Sequence, residues 1–196
     1  MQLLSLVSLL GAAALGACQT SGANGTAVTG KLGDARQVRN NPVIGEVWVA
    51  TFNSSTVKGT VTAIANTVGV NYTIDVTGLP ADKGPYKYHV HLKAVPADGN
   101  CADTGGHLDS YVRGDSPPCD ASAPQTCEVG DLSGKYGTVA GPTVLKSHQS
   151  FNDPYTALNI IMLGYIGDRG IVFHDASSAR IACATLVKSP NQPKPQ

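Results

Sequence analysis

The chemistry of this chain is concentrated in its histidines, and two of them stand two residues apart in Tyr88-His89-Val90-His91. On a β-strand, side chains two apart point to the same face, so both imidazoles would aim at one point. Such a pair suits a borderline metal such as copper or zinc. Taken alone, it is explained about as well by two surface histidines. The chain has only five histidines, however, and two more stand in β-like or glycine-rich surroundings. These are His107, after Gly105-Gly106, and His174, in the apolar frame Ile171-Val172-Phe173. Four imidazoles with no cysteine assigned beside them favour copper, or non-haem chemistry, over a structural zinc knot. The stretch from Tyr88 to Gly134, which also carries Glu128-Val129-Gly130-Asp131-Leu132, reads as the centre of a single-metal redox site. His148, the fifth histidine, joins no pattern and is expected in an exposed loop.

A β-sandwich must position these groups. The chain has 196 residues, 42% of them hydrophobic and only 14% charged, with 22 glycines and 12 prolines. That composition suits a turn-rich β protein better than a helical one. The formal net charge is zero and no basic run occurs, so nucleic acid is not an expected partner. Strands are predicted over Glu46–Phe52, Val57–Ile64 and Val70–Val76, the last alternating Val70, Tyr72, Ile74 and Val76 on one face. The His89/His91 strand follows the turn Asp82-Lys83-Gly84-Pro85. Pro96–Pro124 is a long Gly-, Pro- and Ser-rich loop holding His107 and two cysteines, Cys101 and Cys119; loops of that length are usually functional. Ser133–Val139 reads as a further β segment, Ser147–Tyr155 as a polar loop, and Asp153–Asn159 as a short helix or turn. Gly170–His174 and Ala179–Val187 read as the closing strands. Seven or eight short strands without a long helix predict an all-β, Greek-key sandwich or barrel of immunoglobulin-like type with long functional loops.

The ends of the chain suggest export. Residues 1–17 are apolar, too short to span a bilayer and finish in small residues, as a signal peptide does. Leu15-Gly16-Ala17-Cys18 also fits a lipoprotein cleavage box, but the sequons at Asn24, Asn53 and Asn71 favour a secreted glycoprotein. Residues 18–41 read as a flexible N-terminal segment, 42–187 as the domain and 188–196 as a disordered tail. The tail has no hydrophobic stretch, so neither a GPI anchor nor a transmembrane segment is expected. Setting Cys18 aside leaves four cysteines, which allow three pairings. Cys119–Cys127 would close a short loop, and Cys101–Cys183 would tie the central loop to the last strand.

Taken together and in order, Tyr88-His89-Val90-His91, Gly105-Gly106-His107, Glu128-Val129-Gly130-Asp131-Leu132, Val172-Phe173-His174 and Ala179-Arg180-Ile181-Ala182-Cys183 resemble the copper/zinc superoxide dismutases. The likeness covers about Pro42 to Leu186, and it is to the extracellular copper-only branch known from fungi. The resemblance implies that His89, His91 and His174 ligate copper and that His107 matches the imidazole bridging copper and zinc in two-metal enzymes. It also implies a Cys101–Cys183 disulfide and an Arg180 that attracts superoxide beside the metal. Where the two-metal family has His-Val-Gly-Asp, this chain has Glu128-Val129-Gly130-Asp131, and no histidine lies between His107 and Glu128. The zinc set is therefore broken, as in the copper-only branch, and one copper without zinc is expected. Glu128 and Asp131 are instead expected to hold imidazoles through their second nitrogens. Five residues separate His174 from Arg180, so the long charged loop of the two-metal enzymes is absent and the copper should be open to solvent.

The resemblance implies a secreted dismutase, converting superoxide to oxygen and hydrogen peroxide. It is expected to be monomeric and either free outside the cell or associated with the cell wall. Two rivals stand beside it: a non-enzymatic extracellular copper-binding module, and a catalytically dead sandwich with an adhesive role. Copper stoichiometry separates the last from the others, and superoxide turnover separates the first two.

Overall fold

The computed structural model describes residues 28–140 and 147–192. The stretch expected to be a signal peptide, Cys18, the Asn24 sequon and the last four residues lie outside the described residues. Alternation of small or β-branched side chains with polar ones builds the first three strands: β1 (Val47–Asn53), β2 (Lys58–Ala65) and β3 (Val70–Thr77). In β3, Val70, Tyr72, Ile74 and Val76 all face inward and are buried, as the period of two requires. The others are β4 (Lys87–Val90), β5 (Ser147–Asp153), β6 (Gly170–His174) and β7 (Arg180–Lys188). The sheet order is β4-β6-β7-β1-β2-β3-β5, and every neighbouring pair is antiparallel. After β3 the chain crosses to the opposite edge to form β4, a Greek-key connection. The two edges approach through side chains. Tyr88 of β4 donates its hydroxyl to Gln149 of β5 at 3.0 Å, and its ring lies 6.2 Å from Phe151. Inside, Phe52 and Phe173 meet edge to face at 5.2 Å.

Four expectations need correction. Ser133–Val139 is not a strand; Leu132–Tyr136 is a short helix, α1, because Asp131 caps it by accepting from the Gly134 amide at 2.7 Å. Ser147–Tyr155 is not a polar loop. Residues 147–153 pair with β3 along its whole length, with Gln149, Phe151 and Asp153 less exposed than the residues between them. Polar residues on both faces hid that alternation, and His148 is therefore a strand residue, exposed and 2.9 Å from Asp75. Nor are residues 28–41 loose. Val38 is buried and exchanges backbone hydrogen bonds with Pro154 and Gly69, and Asn41 bonds Gly69 and Leu158. Finally, the start of the supposed tail is ordered. Lys188 belongs to β7, and the Gln192 amide both accepts from and donates to the Val47 backbone at 2.8 Å.

Among the described residues, no helix is long and apolar enough to cross a membrane. Asn53 and Asn71 of the remaining sequons are exposed.

Candidate metal centre

Three backbone segments distant in sequence are tied into one knot beneath the histidines. Leu108 donates to the Val90 carbonyl (2.8 Å), Gly130 to Leu108 (2.8 Å), and Val90 to Gly130 (2.9 Å). Each knotted residue adjoins the chemistry: Val90 lies between His89 and His91, Leu108 follows His107, and Gly130 lies between Glu128 and Asp131. Only glycine fits at position 130, where an added Cβ would stand 2.4 Å from the Val90 carbonyl oxygen. His91 lies just beyond β4 and bridges to His107, while β4 and β6 pair side by side and bring His174 in. The bulge between Phe173 and His174 re-aims the latter at the end of the strand.

The imidazoles of His89, His91, His107 and His174 converge, with one nitrogen of each within 4.8 Å of the others'. Outward hydrogen bonds identify which nitrogens these are. The Nδ1 of His91 donates to the Gly105 carbonyl (2.9 Å) and that of His174 to the Ser178 carbonyl (3.2 Å), since carbonyls only accept. His107 Nδ1 donates to Glu128 Oε2 at 2.6 Å. His89 is turned the other way: its Nε2 lies 3.3 Å from Asp131 Oδ1 and 3.2 Å from the Ser133 hydroxyl. The nitrogen left facing inward is therefore Nδ1 of His89 and Nε2 of the other three.

These inward nitrogens fit a metal cation. His89 Nδ1 is buried and has no hydrogen-bond partner among the described residues. The Nε2 atoms of His91 and His174 lie 3.1 Å apart, although both protons are committed to outward carbonyls, so two lone pairs face each other. Burial keeps both rings neutral, pushing His91 down to about 3 and His174 down to about 4, with neighbouring imidazoles adding to the effect. Burial also lowers His89, against the opposing hydrogen bond to Asp131. Burial would raise Asp131, but the His89 hydrogen bond and charge, the Gly134 amide and Lys135 outweigh it and hold the carboxyl at about 2. The four inward nitrogens, one from each imidazole, can be satisfied together on one borderline cation.

The centre opens into a cavity of about 390 Å³, lined among others by His89, His107, His174, Glu128, Asp131 and Arg180. Arg180 is fastened as well as charged. Its guanidinium donates to the carbonyls of Cys101 (2.7 Å), Ala102 (3.0 Å) and Gly105 (2.6 Å) and to the Thr104 hydroxyl (3.0 Å). The Cys101–Cys183 and Cys119–Cys127 disulfides are both formed, so the pairing that ties the central loop to the last strand is the one adopted. The histidines, carboxylates, arginine and paired cysteines singled out from sequence therefore meet at one site or brace it, and His148 stands apart. Sequence reasoning missed Lys87, Asp115, Ser133 and Thr138, which also line the cavity. Lys87 was within reach, because it precedes His89 by two on β4 and so shares its face. Arg113 was missed too. It is buried and donates to the carbonyls of Thr126, Gly114, Pro117 and Pro118, which stiffens the cavity wall around Cys119.

A Greek-key β-barrel presenting four inward imidazoles, two of them supported by carboxylates, defines the class of the copper-containing superoxide dismutases. Comparisons with known proteins narrow it. No family model matches the chain. A cell surface Cu-only superoxide dismutase of Arthroderma benhamiae is 35% identical over 85% of this chain and 53% of its own length. Cell surface Cu-only superoxide dismutase 5 of Candida albicans is 37% identical over 68% of this chain and 56% of its length. The chain thus spans about half the length of the curated relatives it matches. The solved structure of Candida albicans superoxide dismutase 5 in its Cu(II) form superposes with a TM-score of 0.67 and 33% identity, covering 77% of this chain and 97% of that one. This chain belongs to the fungal copper-only superoxide dismutases.

Proposed function

We propose that this protein is an extracellular copper-dependent superoxide dismutase, holding one copper on His89 Nδ1 and on Nε2 of His91, His107 and His174. The observation that carries the reading is the set of four inward nitrogens, each fixed by an outward hydrogen bond and two of them opposed at 3.1 Å. Copper bound there would supply one-electron redox chemistry, the kind needed to turn two superoxide anions and two protons into oxygen and hydrogen peroxide. The relatives' names, cell surface Cu-only superoxide dismutases, support the metal, the reaction and a place outside the cell, with cell-wall association and a monomeric state as the finer expectation.

The chain's own groups have distinct tasks on this reading. Glu128 and Asp131, which would otherwise be candidate zinc ligands, are engaged with His107 and His89, so no zinc is expected. His107 is the one ligand imidazole only partly buried, so its Nε2, when not holding the metal, could take a proton from the solvent side and pass it to the reduced substrate. Glu128 holds that ring by Nδ1 while the proton moves. Arg180 presents a fixed positive charge at the cavity and attracts the anion. The functional unit is the domain of residues 42–187 with the strap 28–41 packed on it.

Metal analysis of the purified secreted protein, together with a superoxide dismutation assay, tests the reading. About one copper and essentially no zinc per chain with rapid turnover is expected. Stoichiometric zinc beside copper, or copper without turnover, would sink it, the second in favour of a copper-binding module.

A further inference from the structure

Lys135 and Asp153 form an ion pair closed off from water, with both side chains 0% exposed. Among the described residues neither is hydrogen-bonded or ion-paired to an imidazole. The Lys135 ammonium donates to Asp153 Oδ2 and, at 2.9 Å, to the carbonyl of Val129. The other Asp153 oxygen accepts from the backbone amides of Tyr155 (2.7 Å) and Thr156 (2.9 Å), which anchors it to the end of β5. Desolvating two charges offsets most of their attraction, and an apolar pair of the same volume is often as stable. What the charged pair adds is direction. An ammonium must face oxygen, and here the oxygen belongs to Val129, between Glu128 and Gly130.

That carbonyl occupies a critical place. The Glu128–Asp131 segment carries both carboxylates that hold ligand imidazoles, Glu128 on His107 and Asp131 on His89. On one side the backbone knot with Val90 and Leu108 fastens it at Gly130. Lys135 fastens it on the other, one residue away, with β5 as the fixed wall. With both fastenings the two carboxylates cannot swing relative to the rings they face.

We propose that Lys135, braced by Asp153, is a positioning residue for the metal centre. By fixing the Val129 carbonyl, it aims Glu128 at His107 Nδ1 and Asp131 at His89 Nε2, and so decides which ring nitrogen each histidine turns inward. Its consequence for copper rests on the functional reading above; its consequence for the two imidazole N–H bonds does not.

The test uses the full chain with Lys135→Met combined with Asp153→Asn. This removes both charges, while the oxygen of the new side-chain amide can still accept from the Tyr155 and Thr156 backbone. In ¹⁵N-labelled protein without metal, the ring N–H protons of His107 and His89 should exchange with water at least about tenfold faster than in wild type. Copper(II), added against a competing chelator, should bind about tenfold more weakly, the lower end of what outer supports of metal ligands contribute. A folded variant whose ring N–H exchange and copper dissociation constant both stay within about twofold of wild type would overturn the proposal, whatever its melting temperature. If wild type takes up no copper, the functional reading falls, and the N–H comparison still decides the positioning role. If the double variant does not fold, Lys135→Gln with Asp153→Asn, a neutral hydrogen-bonding pair, is read the same way. Failure of that variant to fold as well would make the pair a folding element and overturn the proposal.

Discussion

Replacing Cys101 and Cys183 together by serine opens a covalent loop whose ends are 82 residues apart. Chain-entropy bookkeeping for a loop of that length gives about 15 cal/mol/K, or about 4.5 kcal/mol at 25 °C, released into the unfolded state. The same arithmetic for Cys119–Cys127, 8 residues apart, gives about 2.5 kcal/mol. The native state should change little in either variant. Arg180 still ties Cys101, Ala102, Thr104 and Gly105 to β7, and Arg113 still ties the carbonyls around Cys119. The difference between the variants therefore reflects unfolded-chain entropy. Urea denaturation of metal-free protein should show the long-bridge variant weaker by about 2 kcal/mol than the short-bridge one. Its melting temperature should lie about 10–15 °C below wild type. Metal must be absent, since a bound cation would add its own linkage to the folded state. Equal losses, or a larger loss for Cys119–Cys127, would refute the entropic account. A loss under about 1 kcal/mol from the long bridge would show that Arg180 and the backbone alone close the loop.

Three further outcomes are expected. Arg180→Ala should slow superoxide turnover most at low salt, with the deficit shrinking as ionic strength rises and screens wild-type attraction as well. An unchanged low-salt rate by pulse radiolysis would leave Arg180 only its loop-fastening role. Glu128→Gln should fold and load cupric copper nearly as wild type does, yet turn over several-fold more slowly, because the ring of His107 loses its charged support; full activity would make Glu128 dispensable. Metal-free protein should lose stability as pH falls from about 6.5 towards 4. His91 and His174, held down to about 3 and about 4, refuse protons that the unfolded chain accepts in that window. Urea midpoints equal at pH 7 and pH 4.5 would count against neutral buried imidazoles.

Much of the site was legible in the residues. Alternation put His89 and His91 on one face, and the ordered motifs around His107, Glu128, His174 and Arg180 carried the family resemblance. The strands β1 to β3 announced themselves through inward Val, Tyr and Ile at a period of two, a signal that hydrophobic burial makes local. β5 gave no such signal. Its inward residues are Gln149, Phe151 and Asp153, and only pairing with β3 and the partners waiting for Gln149 and Asp153 explain them. The same holds for α1, where Asp131 decides between strand and helix by capping the Gly134 amide, a choice its neighbours' propensities do not reveal. Residue types determined that four imidazoles and two carboxylates were available. Tertiary structure decided which nitrogen of each ring faces inward, because that depends on carbonyls and carboxylates brought from Gly105, Ser178, Glu128 and Asp131. It also decided that a buried lysine and aspartate, unremarkable in the chain, would meet behind them. Local sequence fixes what a side chain can donate or accept, while only the folded backbone fixes what it meets.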